Sequence, residues 1–322
     1  MSYVMPTEAT FPAVIDSTMR SSFNLCPHHF FRRYCQGLKH ESVNAHLHFG
    51  GCLAKGLEVT RRAWVGGEPQ HLAVLKGVEA VIKQWAYFEP PTNPSRTEAV
   101  KTLDSCILAL SDYFREWPLD NDPIRIASFA GEPCIEFRAA LPIPGCFHPD
   151  TGEAILYAGR FDTCNTYGSS YWGLDDKTTG SVPYSWADQW KLRGQLTGYA
   201  WLAHAYDMPV IGMLVRGICP TVNGTRLVPT VEVPQPPWKI QRWLSQLQAD
   251  VWRMLACWND FQHGKPRMLY GEINDHNAFP QILDSGCYSY NRPCEFMSLC
   301  DSQHPERWED EYQIQRWEPL VL

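Results

Sequence analysis

The chain has 322 residues, of which 44% are hydrophobic and 20% charged, so it can bury one large core or two smaller ones. No run of 18 apolar residues occurs, so we expect no membrane span. The N-terminus lacks the basic and apolar regions of a signal peptide, so we expect a cytoplasmic protein. Because the cytoplasm is reducing, we expect the twelve cysteines to form no disulfides. The net charge of −7 argues mildly against a nucleic-acid partner, although a local basic strip could still bind one.

The N-terminal part of the chain, 12–118, is predicted to be helical. Asp16-Ser17-Thr18 is typical of a helix cap and begins a helix that runs to about Tyr34. Three further helices are predicted, over 48–64, 69–88 and 97–117. The first of them is entered through Phe49-Gly50-Gly51. A proline-rich stretch at 90–94 separates the last two.

The middle of the chain, 122–235, is predicted to form a sheet. Strand character begins near Ile124, and β-rich runs follow at 132–141, 154–165, 171–176, 209–218 and 226–233. A long helix is predicted over 186–206 between the third and fourth runs. The last part, 236–322, begins with an amphipathic helix over 238–261 and is irregular from His263. This order predicts one α/β or α+β domain over 1–322, with a mixed central sheet flanked by helices.

Two acidic residues end neighbouring apolar runs in this sheet. Asp162 closes the run Gly159-Arg160-Phe161, and thirteen residues further on Asp175 opens the sequence Asp175-Asp176-Lys177. Two carboxylates from neighbouring strands make a hard-oxygen site for Mg²⁺ or Mn²⁺, and Lys177 points to the same face of its strand as Asp175. This trio suits metal-assisted hydrolysis of a phosphodiester. The alternative is a strand that ends at a turn and a charged hairpin end.

A helix with a second polar pattern follows this motif. The four-residue spacing of Gln195 and Tyr199 places both side chains on one helical face, where an amide and a hydroxyl can bind a nucleic-acid backbone. The alternative is an ordinary polar helix edge. Basic residues also cluster at Arg32-Arg33, Arg61-Arg62 and Lys191/Arg193, and their simplest interpretation is a set of solvated faces.

Three cysteines, Cys287, Cys294 and Cys300, lie close together in Cys-x6-Cys-x5-Cys, and Cys26 before Pro27 is a candidate fourth ligand. Four thiolates suit a [4Fe–4S] cluster or a structural zinc ion. The spacing is wider than the Cys-x2-Cys of most zinc knuckles, which favours the cluster. Such a cluster would be structural and would join the first helix to the C-terminal segment. Chance cysteines in a loop are the remaining alternative.

Together these features resemble the PD-(D/E)XK nuclease superfamily, and within it the RecB-like branch with a four-cysteine iron–sulfur cluster, which includes AddB-type recombination nucleases and the CRISPR-adaptation exonucleases. The resemblance covers nearly the whole chain, with the motifs in the order of the family. It rests on 15–30 with Cys26, Phe49-Gly50 to Leu57-Glu58, Gly159-Arg160-Phe161-Asp162, Asp175-Asp176-Lys177-Thr178, Gln195 to Tyr199, and the three C-terminal cysteines.

The resemblance implies a role for each of these positions. Asp162, Asp175 and the carbonyl of Asp176 would bind Mg²⁺ or Mn²⁺, Lys177 would position the attacking water, Gln195 and Tyr199 would place the DNA backbone, and Cys26, Cys287, Cys294 and Cys300 would hold the cluster.

The chain departs from the family at two points. Many relatives have a metal-binding histidine one helical turn before the glutamate of the second motif, where this chain has Ala54. Neither His46 nor His48 is in register with that position, so we expect Glu58 to be the acidic group that the helix adds to the metal site. The Cys-x6-Cys spacing is also longer than the Cys-x2-Cys of many relatives.

The expected function is that of a metal-dependent exonuclease acting on single-stranded DNA ends, in recombination and repair or in phage DNA metabolism. The chain has no Gly-x4-Gly-Lys-Ser/Thr motif, so a helicase partner would be a separate protein. Ala54 makes a second hypothesis credible, a DNA-binding or assembly module that keeps the nuclease fold without its activity. A third is an interaction protein held together by zinc.

Overall fold

The computed structural model describes residues 8–41, 44–86, 88, 93–263, 278–283, 286–289 and 292–320. Its contacts divide the chain into two compact units. We call them the terminal unit, made of Met1–Ser42, Ala140–Gly159 and Gln241–Leu322, and the central unit, made of Val43–Ala139 and Arg160–Ile240. The single domain expected over 1–322 stays a prediction.

The elements run through the chain as follows. The helices are α1 (Ser17–Leu25), α2 (Pro27–Phe30), α3 (Ala45–Val65), α4 (Gln70–Trp85), α5 (Arg96–Ala99), α6 (Leu103–Glu116), α7 (Gly194–Ala205), α8 (Pro237–His263) and α9 (Met297–Cys300). The strands are β1 (Val14–Ile15), β2 (Leu38–His40), β3 (Arg125–Ile126), β4 (Ser128–Phe129), β5 (Glu132–Pro133), β6 (Ile135–Phe147), β7 (Ala154–Tyr167), β8 (Ser170–Thr178), β9 (Val210–Thr221), β10 (Gly224–Pro234), β11 (Tyr288–Ser289), β12 (Arg292–Pro293) and β13 (Tyr312–Ile314).

The central unit is organised by strand β8. It is antiparallel to β7, with Thr163 opposite Leu174, and parallel to β9, with Asp175 opposite Val215. Strand β10 continues antiparallel to β9, and both β3 and β6 pair with β7. The sheet is therefore mixed, with helices packed against it, which confirms the fold class predicted from the sequence.

Three helices, α3, α4 and α6, pack together, and two of them contact the sheet: α6 contacts β9 and β10, and α3 contacts β8. Their shared core is apolar and contains the buried residues Phe49, Cys52, Leu53, Leu57, Val81, Cys106, Ala109, Leu110, Tyr113, Phe114, Leu119 and Ile218. Helix α7 packs against β9. Because the core includes Ile218 at the end of β9, the apolar faces of α3 and α6 fix both helices next to the ends of the strands.

The terminal unit has smaller sheets. Strand β1 is parallel to the start of β7, with Val14 opposite Leu156, and β2 is antiparallel to β13, with His40 opposite Tyr312. A buried ion pair of 2.6 Å between Arg20 Nε and a carboxylate oxygen of Asp250 joins α1 to α8. No disulfide joins any of the twelve cysteines, all of which lie in the described residues. Within the described ranges, no helix has the length and hydropathy needed to cross a bilayer.

The predicted first helix is interrupted. Helix α1 ends at Leu25, Cys26 is extended with φ −159° and ψ 109°, and α2 starts at Pro27, followed by a π-helical turn over Phe31–Cys35. The reason is that a proline disfavours the helical conformation of the residue before it. The prediction of one continuous helix from Asp16 to Tyr34 was therefore wrong at Cys26.

Two other predicted helices are shorter in the structure. The helix expected over 97–117 is divided into α5 and α6, because Thr102 begins a new helix with a capping box to Ser105. The helix expected over 186–206 starts only at Gly194, since the segment before it is a loop with a 3₁₀ turn over Asp188–Trp190. Gly50 and Gly51, expected at the entry to a helix, lie inside α3. The β-rich run expected at 132–141 is divided between β5 and β6, and β6 continues to Phe147. The other predicted strands and helices are present, with ends shifted by a few residues.

Close packing of α3 on α4 depends on two glycines that face each other, Gly56 of α3 and Gly77 of α4. A β-carbon at Gly77 would overlap Thr60 Oγ1 and would lie 2.7 Å from the carbonyl oxygen of Gly56. We expect Gly77→Ala to lower the free energy of unfolding by about 1–3 kcal/mol, because the backbone of α3 cannot move aside without opening the core.

Urea unfolding monitored by tryptophan fluorescence measures this change. Gly51→Ala is the matched control, since a β-carbon at Gly51 meets nothing within 4 Å and alanine is the better helix former, so stability should stay the same or rise. A Gly77→Ala variant as stable as the wild type would contradict this account of the helix packing.

Candidate active site

Strand β8 presents three consecutive polar residues in the central unit, and their side chains alternate between the two faces of the sheet. Asp175 is buried, with 2% of its surface exposed, and its carboxylate forms a 2.8 Å ion pair with Nζ of Lys177. Between them, Asp176 turns its carboxylate the other way, toward α3 and α6. The strand therefore presents an aspartate and a lysine, Asp175 and Lys177, on one face and a second aspartate, Asp176, on the other.

Asp162 of β7 completes the acidic group. One step beyond the Thr163–Leu174 pair of the antiparallel ladder, the next residues on the two strands are Asp162 and Asp175, which places them side by side. The backbone N–H of Asp176 donates a 2.7 Å hydrogen bond to Oδ2 of Asp162. Burial raises the pKa of Asp162 well above its usual range, and the carboxylates of Asp175 and Asp176 raise it further. The carboxylates of Asp162 and Asp175 are thus held side by side in a buried site.

Lys177 is the cation that faces these acids. Burial alone would lower the pKa of Lys177, but the carboxylates of Asp175 and Asp162 outweigh burial and raise it. The ammonium group is therefore protonated at neutral pH and cannot accept a proton. Its Nζ also donates to Oε1 of Gln195 at 3.2 Å, and Nε2 of Gln195 donates to the hydroxyl of Tyr199 at 2.9 Å. The predicted pair on α7 shares one helical face and is hydrogen-bonded to Lys177.

A buried network holds Asp176 on the opposite face of β8. Nη2 of Arg61 donates to Oδ2 of Asp176 at 2.6 Å, and the Tyr113 hydroxyl donates to Oδ1 at 2.8 Å. The same hydroxyl accepts from Arg61 at 2.9 Å and from Arg216 at 3.1 Å. Arg216 in turn forms two 2.8 Å hydrogen bonds to Asp122. Within this network, each charged group of Arg61, Asp176, Arg216 and Asp122 has a partner of opposite charge, as burial requires.

This network corrects one prediction about the basic clusters. Arg61 is buried rather than part of a solvated face, with 4% of its surface exposed, and Arg32 and Arg33 of the terminal unit are buried as well. Lys191 and Arg193 are exposed, as expected.

A cavity of about 300 Å³ opens beside the acidic group. Asp162, Asp176 and Lys177 line it from the sheet, and Arg61 and Ala54 line it from α3. Helix α3 approaches β8 closely here, since a β-carbon at Gly50 would lie 3.2 Å from Oγ1 of Thr178. The structure therefore brings Asp162, Asp175, Lys177, Gln195 and Tyr199 together. Of these five, Asp162 and Lys177 line the cavity, and the other three are not among its lining residues.

Glu58 is placed differently. Its carboxylate pairs with Nζ of Lys55 and with Nε of Arg62, both at 2.9 Å, and it is not among the residues that line the cavity. Hydrogen bonds to these two bases lower the pKa of Glu58 even though burial opposes them. The role of Glu58 in metal binding stays a prediction.

A different glutamate, Glu136 of β6, does line the cavity. Sequence reasoning missed it, although a single carboxylate in the apolar run around Cys134 and Ile135 was a visible signal. Sequence reasoning also missed Tyr113, which lies on the apolar stripe of α6 and has the pattern of an ordinary core residue, and Arg216, which lies in a buried strand.

The four cysteines of the predicted cluster lie in the terminal unit. Cys26, Cys287, Cys294 and Cys300 all line one cavity of about 210 Å³, together with His28 and His29. Gly286 lets the C-terminal segment approach Cys26, since a β-carbon at Gly286 would lie 3.1 Å from that of Cys26. Burial raises the pKa of Cys294 to about 11 and that of Cys300 to about 12.

Both predicted sites have donors of the right chemistry for their ions. The carboxylates of Asp162 and Asp175 are hard oxygen donors of the kind that Mg²⁺ and Mn²⁺ prefer, and four thiols suit an iron–sulfur cluster. Among the residues that the structure describes, no three His, Cys, Asp or Glu side chains are arranged as ligands of one metal ion. Mg²⁺ keeps several waters and is bound by one or two carboxylates in many proteins, so a site with two aspartates fits it.

Comparison with known proteins gave a match to a family model and several structural matches. A sequence model of the PD-(D/E)XK nuclease superfamily matches residues 18–301. The chain is similar to the crystal structure of a protein described as a "putative exonuclease" from Eubacterium rectale, with 9% identity and a TM-score of 0.47 over 82% of this chain and 92% of that chain. It is also similar to the crystal structure of SSO0001, with 14% identity and a TM-score of 0.26 over 65% of this chain and 88% of that chain. No curated protein sequence matches the chain.

The crowding of carboxylates predicts a stability effect in the metal-free protein. Because the folded-state pKa of Asp162 is raised, the folded protein loses stability as the pH rises from the unfolded-state pKa toward the folded-state one. Asp162→Asn removes this repulsion and can still accept the Asp176 N–H. We expect it to raise the free energy of unfolding at pH 7 by about 0.5–2 kcal/mol, with a smaller gain near pH 4.

Thermal unfolding in a chelator at several pH values measures this gain. Asp188→Asn, at an exposed position on the loop before α7, is the matched control and should change stability by no more than about 0.5 kcal/mol. Added Mn²⁺ should stabilise the wild type more than Asp162→Asn. A destabilised Asp162→Asn variant at pH 7 would show that the carboxylate contributes to folding instead of opposing it.

Proposed function

The chain belongs to the PD-(D/E)XK nuclease superfamily, and on that premise we propose that it is a deoxyribonuclease that hydrolyses phosphodiester bonds with Mg²⁺ or Mn²⁺. The observation that supports this most strongly is the meeting of Asp162, Asp175 and Lys177 on two neighbouring strands, β7 and β8, inside a mixed sheet. Two acids and a protonated lysine beside a cavity are the groups that metal-assisted attack of water on a phosphodiester requires.

Each residue then has a defined task. Asp162 and Asp175 hold the metal, with the carbonyl of Asp176 as a further oxygen ligand. When bound, the metal acidifies a water and withdraws charge from the phosphate. Lys177 orients the attacking water and stabilises the negative charge that develops on the phosphate oxygens, because its raised pKa keeps it protonated. Gln195 fixes the position of Lys177 and, with Tyr199, binds the DNA backbone.

The substrate that we propose is the end of a single DNA strand, as the family resemblance implies. Exposed basic residues support a DNA partner despite the net negative charge. Burial raises the pKa of Asp175, and Lys177 and Arg193 act against this rise, so the guanidinium of Arg193 lies close to the site. Arg193 and Lys191 belong to the loop that joins Lys177 to Gln195, and this loop offers a basic strip for phosphates. A helicase, if the nuclease works with one, is a separate protein.

A nuclease assay with end-labelled single-stranded DNA and Mn²⁺ tests this proposal. We expect Asp175→Asn and Lys177→Met each to reduce the cleavage rate by roughly 10²-fold or more, because each removes a group that contacts the metal or the developing charge. Lys83→Met, an exposed lysine of α4, is the matched control and should cleave at the wild-type rate.

The same assay tests the second hypothesis, a DNA-binding module without activity. That hypothesis rests on Ala54, which lines the cavity where many relatives have a metal-binding histidine. Wild-type protein that binds DNA without metal and cleaves no faster than Lys177→Met would favour it and would contradict the nuclease proposal.

We also propose that Cys26, Cys287, Cys294 and Cys300 hold a [4Fe–4S] cluster with a structural role. The four cysteines line one cavity of about 210 Å³. The wide spacing of the three C-terminal cysteines favours a cluster over a single zinc ion. As cluster ligands the thiols would have to release their protons.

Anaerobic purification followed by iron, sulfide and zinc analysis tests the cluster. We expect brown protein with about four iron atoms per chain, and a loss of iron and of thermal stability in Cys294→Ser. Cys257→Ser, at a cysteine outside the cavity, should keep its iron. Colourless wild-type protein that contains zinc and no iron would show that the cavity is a zinc site.

A further inference from the structure

We propose that the loop between β8 and α7, residues 179–193, binds the unpaired bases of single-stranded DNA, with Tyr184 as the side chain on which a base stacks. This inference rests on the proposed function, and it names the part of the chain that distinguishes a single strand from a duplex. Phosphate contacts from Lys191 and Arg193 cannot make that distinction, because both forms of DNA carry phosphates.

Two large apolar side chains of this loop lie in solvent. Tyr184 is fully exposed and Leu192 is 84% exposed, and no other large hydrophobic residue in the described part of the chain is as exposed as either. Leu192 lies between two exposed basic residues, Lys191 and Arg193. A single exposed apolar residue is ordinary, but the two most exposed ones on one short loop, next to positive charge, favour a partner that is both apolar and anionic.

Two buried tryptophans fix the loop that carries these side chains. Trp186 and Trp190 are both buried and pack edge to face, with ring centroids 5.1 Å apart. The backbone N–H of Trp186 donates to the carbonyl of Pro183 at 3.0 Å, which closes a turn with Tyr184 inside it. Tyr184 is therefore presented by an ordered backbone, so a base that stacks on its ring does not have to order the loop first.

The loop is anchored on the face of the sheet that carries Asp175 and Lys177. Gly217 of β9 is the ladder partner of Lys177, so a β-carbon at Gly217 would point to the same face as the lysine side chain. That β-carbon would lie 2.5 Å from Cζ2 of Trp186, so the indole ring covers the sheet beside Lys177. Tyr184 is two residues from Trp186, which puts its backbone within about 7 Å of that anchor. A strand that stacks on Tyr184 is therefore held near the residues that we propose to cleave it.

The chemistry of the loop suits an unpaired base. In a duplex the faces of each base are stacked on its neighbours, whereas an unpaired base can offer a face to an aromatic ring. Every base has such a face, so stacking on Tyr184 is tolerant of sequence, as an exonuclease requires. Leu192 adds apolar contact area, and Lys191 and Arg193 attract the phosphates of the same strand.

Fluorescence anisotropy with labelled single-stranded and duplex DNA of equal length, recorded in a chelator so that no cleavage occurs, tests the inference. We expect Tyr184→Ala to weaken binding of the single strand roughly 5- to 100-fold, the effect of losing one base–aromatic stack, and to change duplex binding less than about twofold. Tyr184→Phe keeps the ring and should bind both forms as the wild type does. Phe147→Ala, which removes an exposed ring from β6, is the matched control and should also bind as the wild type does.

A charge variant separates base contacts from phosphate contacts. Arg193→Gln should weaken the binding of both forms of DNA and make the affinity less dependent on salt, because it removes a phosphate contact. If Tyr184→Ala binds the single strand as tightly as the wild type, or loses affinity for both forms equally, the inference is wrong. A change in oligomeric state in place of a change in DNA binding would also overturn it and would mark the loop as a contact between copies of the chain.

The proposed function is tested separately by cleavage with Mn²⁺. If Tyr184→Ala binds as the wild type does while Asp175→Asn loses cleavage, the role of Tyr184 is wrong and the proposed function stands. Wild-type protein that binds neither form of DNA and cleaves neither would contradict both.

Discussion

The repulsion between Asp162 and Asp175 is the constraint on which the rest of the candidate site depends. The two carboxylates lie side by side on adjoining strands, in a place where burial already raises the pKa of each. The protein balances this charge from both faces of β8. Lys177 pairs with Asp175 on one face, and Arg61 pairs with Asp176 on the other. Asp162 lines the cavity, so one carboxylate of the pair faces a space in which the proposed metal could balance its charge.

The neighbouring elements follow from this balance. Because Asp176 is buried with an arginine, its second oxygen needs a donor, and the Tyr113 hydroxyl of α6 provides it. Tyr113 also receives hydrogen bonds from Arg61 and Arg216, so one side chain joins α3, α6 and β9 to the central residue of the Asp-x-Lys motif. The backbone N–H of Asp176 also donates a hydrogen bond to the carboxylate of Asp162. The helical layer thus holds the Asp-x-Lys strand in place, and the proposed reaction would depend on such preorganised charges.

Much of this could be predicted from local pattern, and the remainder depends on contacts far apart in sequence. Asp162, Asp175, Lys177, Gln195 and Tyr199 were all predicted, because strand alternation and helical spacing determine which side chains share a face. The helix break at Cys26 follows from Pro27 and could have been predicted as well. Glu136 was visible as a single acid in an apolar run, but its place beside the cavity follows only after β6 has paired with β7. The role of Tyr113 could not be predicted, because a tyrosine on an apolar helix face has the same pattern whether or not its hydroxyl serves a buried charge.

The central claim is that the carboxylates of Asp162 and Asp175 bind a divalent metal at the edge of the cavity. Diffraction from crystals soaked in Mn²⁺, recorded at the manganese absorption edge, tests it most directly, because the anomalous signal locates the ion without any assumption about activity. The account predicts a peak within about 2.0–2.6 Å of carboxylate oxygens of both aspartates, the range of metal–oxygen distances at such sites. A peak at other residues, or an empty cavity under conditions in which Mn²⁺ supports DNA cleavage, would contradict it.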